Sequence, residues 1–357
     1  MFSKYKHGGG YKQASTNESI NWKQVTDYST SINWKATEFY PEHLIYLHQE
    51  SIEYPDASYT ELKEVIEDTY DYSRDFFLLT HGANEAISSL FHMFLLQGYK
   101  DKSVVLVGPT YCEYNKYADL NGFKSIKLSF EDFNSTYESL KNKIVVIVNP
   151  NTPFGFYFDI KDKIEYLLDA GSIVVIDESF IDFTQKPSIY ELIENNPDLY
   201  IIKSLTKFYG SAGARLGLVI SSNKLLTDFL SVLVPPWTIS AYDNWFYKNM
   251  LTHYNQIKKE TLEWVSKVNE KADEVIETSK NVIYYPESVT SYRVLEINSD
   301  FLEKNKIEDI RQFFLREYNI YIRPTADFFG CTKNSFRVGL RLADENEPLW
   351  KALRDLG

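Results

Sequence analysis

Cysteine is scarce in this chain. Cys112 and Cys331 are the only two in 357 residues, which excludes a disulfide framework and offers no metal-ligand spacing. The compartment expected from such usage is a reducing cytoplasm. Positive charge is also short: 38 Lys and Arg stand against 50 Asp and Glu, a net charge of -12. That balance argues against a nucleic-acid or membrane-surface role, and any anionic ligand must meet a local basic site. No apolar run is long enough to span a bilayer. The start, Met1 to His7, lacks the apolar core of a secretory signal. Internal repeats and low-complexity tracts are absent as well. What the chain does have is 44% hydrophobic residues, enough for a sizeable core. Its length suits one large domain with a smaller companion.

Short apolar runs alternate with helical segments through the first two thirds. Strands are expected at 76–80, 103–107, 144–148, 172–176, 199–202 and 218–220. Helices are expected at 58–70, with Ser58 and Glu61 as a capping box, at 86–97 and at 161–170. Strands that are apolar throughout and separated by helices indicate a parallel sheet covered on both faces. The character changes after Ile220. Pro235-Pro236-Trp237 marks a break, a long helical stretch is expected over 241–279, and strands near 292–297, 320–323 and 336–341 with a helix at 307–318 read as a smaller α+β unit. The expected division is an N-terminal arm (1–40), a large domain (41–240) and a small domain (241–357).

Chemistry-bearing residues gather at the C-terminal ends of the expected strands, where open α/β sheets bind ligands. One stretch organises the rest: Ser204-Leu205-Thr206-Lys207, with Arg215 eight residues beyond Lys207. A lysine amine becomes reactive when its surroundings lower its pKa, and a Schiff base with an aldehyde cofactor is the common use. A hydroxyl and a forked cation nearby suit a phosphate. An aldehyde and a phosphate together suggest pyridoxal phosphate; the bland alternative is a loop with ordinary surface charges. Gly82-Ala83-Asn84-Glu85 opens a helix directly after a strand, an arrangement that binds anions or simply turns the chain. Tyr111 follows Gly108-Pro109-Thr110 at a strand end and could stack on a planar ring or pack. Asp177-Glu178 closes an apolar strand; a carboxylate there could hold a protonated pyridine nitrogen, a cation or nothing but solvent. Arg323, Arg337 and Arg341 lie on or near strands, where a charge is costly unless it meets an anion or a salt-bridge partner. Three glycines after His7 permit either close backbone approach or a loose arm.

In this order the motifs resemble the fold-type I pyridoxal-phosphate enzymes of the class I/II aminotransferase family. They are Tyr54-Pro55-Asp56, Gly82 to Glu85, Pro109-Thr110-Tyr111, Asn149 to Gly155, Asp177-Glu178, Ser204 to Lys207 with Arg215, and Arg337. The resemblance implies an α/β fold with a large, mostly parallel sheet and a smaller α+β domain. It implies that Lys207 binds the cofactor as an imine, Asp177 pairs with its ring nitrogen and Tyr111 stacks on the ring. Ala83, Asn84, Ser204 and Arg215 would hold its phosphate, with Tyr54 reaching it from the second subunit of a homodimer. Thr152 lies where a cofactor contact is expected. Arg337 would take a substrate carboxylate. Arg323, with His7, would take a second anion such as a phosphate, and Asn33 would also contact substrate.

Two branches of the family are close, the threonine-phosphate decarboxylases of cobalamin synthesis and the histidinol-phosphate aminotransferases. His7-Gly8-Gly9, Tyr28 to Asn33, Asp177 to Phe183, Ser204 to Tyr209 and Pro236-Trp237 look more like the decarboxylases. The chain departs from the family where Thr152 replaces a usual Asn, Phe154 a usual Thr, Phe180 the aminotransferase Tyr, and Trp34-Lys35-Ala36 a proline-rich turn. The expected function is action on a small phosphorylated amino acid, with decarboxylation ahead of transamination. An inert cofactor-binding relative is the third reading, opposed by the presence of Lys207, Asp177 and Arg215 together.

Overall fold

A computed structural model describes residues 8–41, 52, 54–285 and 288–356. Its strands are β1 (Thr26–Asp27), β2 (Phe77–Thr80), β3 (Val104–Val107), β4 (Ser125–Leu128), β5 (Ile144–Val148), β6 (Ile173–Asp177), β7 (Leu199–Ser204), β8 (Gly217–Ile220), β9 (Val282–Tyr284), β10 (Tyr292–Ile297), β11 (Ile320–Tyr321), β12 (Arg323–Pro324) and β13 (Ser335–Gly339). Among the described residues, seven of them form one sheet in the order β2-β8-β7-β6-β5-β3-β4. Pairing is parallel from β7 through β6, β5 and β3 to β4. Only β8 runs against its neighbours. The reason is the connection: residues 205–216 turn back beside β7 without a crossover long enough to return the chain to the other end.

Both faces of this sheet are buried. Val105, Val145, Ile147, Val174, Ile176 and Ile201 enter one core, while Leu106, Ile144, Val146, Val175 and Ile202 enter the other with the helix Gly82–Leu96. Successive side chains point to opposite faces, so a strand buried twice is apolar almost throughout, Lys203 on β7 being buried in a pair with Asp182. That is why these strands were legible as continuous runs.

Four strands form the second sheet, β12-β13-β10-β9, antiparallel throughout. The N-terminal segment is strapped to it, the Gly339 N–H donating to the Tyr28 carbonyl at 2.8 Å, while β1 pairs with β11 in a separate two-stranded sheet.

Four local expectations are corrected. The helix expected from Ala86 starts at Gly82. The helix Thr60–Tyr70 has no Ser58–Glu61 capping box; Tyr59 caps it in a left-handed conformation, and the Asp56 carboxylate accepts from the Ser58 and Thr60 N–H groups instead. The stretch 241–279 is two helices, Ala241–Leu251 and Tyr254–Glu277. The N-terminal arm is held against Ser29 rather than loose: a Cβ on Gly8 would lie 2.3 Å from the Ser29 carbonyl oxygen, and the Gly9 N–H donates to Ser29 Oγ at 2.7 Å.

Candidate active site

The ends of β3, β5, β6 and β7 converge on a cavity of about 350 Å³. Its wall includes Ala83, Asn84, Tyr111, Thr152, Asp177, Ser204, Lys207, Arg215, Arg323 and Arg337. Residues far apart in sequence meet here because parallel strands all end at one edge of the sheet.

Lys207 sits in the short helix Leu205–Phe208 directly after β7. Burial first, then the charges of Arg215 and Arg337, lower its pKa to about 8, with Asp177 opposing. About a tenth of this amine is therefore neutral at pH 7, against a few parts in ten thousand for an ordinary lysine, and the neutral form is the state a nucleophile needs. Its turn is held from behind by the Asn33 N–H, which donates to the Lys207 carbonyl at 3.0 Å.

Asp177 ends β6 and is buried. Burial raises its pKa, and hydrogen bonds from Ser179 and Tyr114 and the charge of Lys207 pull the other way. The Tyr114 hydroxyl donates to Oδ2 at 2.8 Å, and the Ser179 N–H donates to Oδ1 at 2.9 Å. Glu178, one residue on, turns to the opposite side and accepts from the Ser188 hydroxyl at 2.6 Å and the Ile189 N–H at 2.9 Å. The two acids thus serve different neighbourhoods, and the paired-ligand reading of Asp177-Glu178 does not match this geometry.

A second cluster is built for an anion. The N-terminus of the helix Gly82–Leu96 reaches the cavity through Ala83 and Asn84, and the first N–H groups of a helix have no intrahelical acceptor. Gly82 has φ +75°, and a Cβ there would lie 2.5 Å from Arg215 Nη2; only glycine lets the arginine lie against the helix start. Arg215 is oriented by the Ala212 carbonyl at 3.0 Å and by its own N–H donating to Asp243 at 2.9 Å. Ser204 and Thr206 share a hydroxyl–hydroxyl hydrogen bond of 2.9 Å on the same wall. Helix N-terminus, two hydroxyls and a guanidinium suit a phosphate; a buried carboxylate and a low-pKa lysine suit a pyridinium and an aldehyde. The donor set fits pyridoxal phosphate.

Arg337, on β13, directs Nη1 to Thr152 Oγ1 at 3.0 Å and Nη2 to the Ser29 carbonyl at 3.4 Å. Its Nε is buried without a protein partner. Burial lowers its pKa to about 10. Arg323 faces it across the strands. Phe180 lines the cavity and packs edge-on against Tyr292 at 5.0 Å, so no hydroxyl stands at that position. Phe154 packs instead on Phe156 and Tyr285.

Some expected site residues lie elsewhere. Asn33 is a correction: its side chain is fully buried and its amide donates to Thr261 at 2.6 Å, because the 3-10 turn Lys35–Phe39 swings it inward toward the helix Tyr254–Glu277. Arg341 stacks on Trp34 at 3.7 Å, outside the cavity. Tyr54 is 78% exposed, stacks on Trp237 at 4.3 Å and is not in the wall of its own chain's cavity. His7 falls outside the described residues, but Gly8 and Gly9 line the cavity. Residues missed from sequence are Tyr114, Thr206 and Ser179. Tyr114 follows Tyr111 by one helical turn, which was the available signal.

The family described as aminotransferase class I and II matches residues 20–353. A putative threonine-phosphate decarboxylase of Caldanaerobacter subterraneus is 27% identical over 85% of this chain and 83% of its own length. A histidinol-phosphate aminotransferase of Christiangramia forsetii is 28% identical over 85% of each. An adenosylcobalamin biosynthesis bifunctional protein of Leptospira interrogans is 27% identical over 98% of this chain, which spans 41% of that longer protein. The crystal structure of the histidinol-phosphate aminotransferase from Clostridium acetobutylicum superposes with a TM-score of 0.77 and 25% identity, over 93% of this chain and 99% of that one. With the match extending over nearly all of the chain and the cavity carrying the matching chemistry, this protein belongs to the class I and II aminotransferases, the fold-type I enzymes that depend on pyridoxal phosphate.

Proposed function

We propose that this enzyme acts on a small O-phosphorylated amino acid, of the phosphoserine or phosphothreonine type, and removes its carboxylate as carbon dioxide. The observation that carries the reading is the pair Arg337 and Arg323, set opposite each other on β13 and β12 and lining the cavity that holds Lys207 and Asp177. Two forked cations at one site suit a substrate with two anionic groups. Relatives named for phosphorylated substrates support this.

The cofactor, when bound, supplies an electron sink for a bond broken at the substrate's α-carbon. The chain's residues do the rest. Ala83, Asn84, Ser204, Thr206 and Arg215 would hold the cofactor's phosphate. Asp177, steadied by Tyr114 and Ser179, would keep a proton on the ring nitrogen. Tyr111 would cover the ring. Lys207, with its pKa near 8, would deliver a proton to the α-carbon once the carboxylate has left, whereas transamination would require it first to take one from there. Arg337 would hold the substrate carboxylate, and the angle at which it does so selects the bond that breaks. Thr152, which accepts from Arg337, keeps its own hydroxyl proton to donate.

Decarboxylation is favoured over transamination by Phe180, which leaves the cavity without the tyrosine of the aminotransferase branch. Transamination of a phosphorylated amino acid or amine is the second reading, supported by relatives named histidinol-phosphate aminotransferase at like identity. A homodimer is part of the proposal: Tyr54 is exposed beside Trp237 and would serve the partner's cavity.

The test is a mass-spectrometric product assay with phosphoserine, phosphothreonine and histidinol phosphate, each with and without 2-oxoglutarate. Carbon dioxide released without the keto acid supports the decarboxylase. Glutamate formed only with the keto acid overturns it in favour of transamination. No product from any of the three removes the phosphorylated-substrate reading.

A further inference from the structure

Arg323 and Arg337 stand at paired positions across β12 and β13, an arrangement of like charges that opposes strand pairing. They are held differently. Among the described residues, Arg337 hydrogen-bonds to neutral oxygens, those of Thr152 and Ser29, and lies over the Tyr292 ring at 5.3 Å. Arg323 meets a carboxylate four residues on: Nη1 donates to Asp327 Oδ1 at 2.9 Å and Nη2 to Oδ2 at 2.8 Å. Nη1 also contacts the Pro324 carbonyl, and the guanidinium lies over the Phe328 ring at 5.2 Å.

This two-pronged pairing is the geometry with which an arginine takes a phosphate or carboxylate ligand. The Arg323 side chain is 6% exposed and that of Asp327 33%, so the carboxylate is the accessible partner. Asp327 lines an outer cavity of about 580 Å³ that shares Tyr111, Cys112 and Arg323 with the inner one. Lys127, Lys333 and Arg311 lie on the same outer wall together with Glu308 and Asp309, so a displaced carboxylate would meet charges of both signs there.

We infer that Asp327 is a specificity-determining residue of this pocket: its carboxylate occupies the two Arg323 donors that a distal phosphate on the substrate would use, and so competes with that phosphate. The strength of this competition sets how far phosphorylated compounds are preferred over unphosphorylated ones. The inference rests on the proposed reading of the pocket as a substrate site. Its probe is inorganic phosphate, so it can fail while a phosphorylated substrate turns over, and hold when none does.

The test titrates inorganic phosphate calorimetrically into the holoenzyme, whose cofactor fills the other anion cluster. Four proteins are compared: the unaltered chain, Asp327→Asn, Arg323→Gln and the double variant. Asp327→Asn is expected to bind phosphate at least about tenfold more tightly, the effect of freeing one charge-assisted hydrogen bond. The double variant is expected to lose that gain. Asp327→Ala, which leaves no acceptor at all, repeats the measurement should the asparagine still occupy the arginine. No tightening in either single Asp327 variant overturns the inference. Equal tightening in the Arg323→Gln background also overturns it, because the effect would then be one of general charge.

Discussion

Replacing Tyr114 by Phe removes one hydroxyl and nothing else. Tyr114 is fully buried, its ring stays, and the volume change is small, so packing is preserved. What is lost is the hydrogen bond to Asp177 Oδ2 at 2.8 Å. A hydrogen bond to a charged group contributes about 1.5–3 kcal/mol, which corresponds to roughly ten- to 150-fold in an equilibrium constant. Burial already raises the Asp177 pKa; without the donor the carboxylate rises further and competes more strongly for the ring-nitrogen proton. Cofactor affinity and kcat are both expected to fall within that range, while circular dichroism stays unchanged. The assays are a fluorescence titration of the apoprotein with pyridoxal phosphate and single-turnover kinetics of the reconstituted enzyme. A Tyr114→Phe enzyme within twofold of the parent in both would refute the role given to this hydroxyl, and with it the placement of Asp177 at the ring nitrogen.

Three further outcomes are expected. Lys207 is held to about pH 8 in the folded apoprotein, below the usual lysine value near 10.4; the unfolded chain then binds more protons, so stability relative to Lys207→Met should rise as pH climbs from about 8 to about 10, and parallel Tm–pH curves for the two would contradict the shift. Thr152→Val removes the acceptor of Arg337 Nη1 and leaves a buried guanidinium N–H unpaired, so the KM for the substrate carboxylate should rise about tenfold; an unchanged KM would detach Thr152 from the arginine's positioning. Light scattering should give a dimer, and Tyr54→Ala should weaken cofactor binding without dissociating it; a monomer that binds cofactor fully would remove the shared site.

Much of the site was legible because its parts are locally encoded. An apolar run ending in Asp177, a run ending in Ser204 with Lys207 three residues later, and a glycine opening the helix at Gly82 each report a strand end from a few adjacent residues. Strands buried on both faces are near-continuously apolar, with a charge admitted only where it is paired, as Lys203 on β7 is with Asp182, and that requirement is written directly into the chain. Caps and helix ends were less legible. Asp56, rather than Ser58, supplies the carboxylate that accepts the Thr60 N–H ahead of the Tyr59 cap, since which of several competing acceptors wins depends on the path by which the chain enters.

Sequence alone determined the cofactor chemistry and the strand-end edge that carries it, because both rest on short motifs whose residues act where they stand. Tertiary structure alone decided which charges reach the cavity and what they meet there. It turned Asn33 onto Thr261 and Glu178 onto Ser188, brought Tyr114 to Asp177, reversed β8, and placed Arg323 opposite Arg337 with Asp327 across its donors. These choices follow from side-chain direction and strand register. A single residue's step in register exchanges a cavity wall for a buried core, and only the packed chain selects between them.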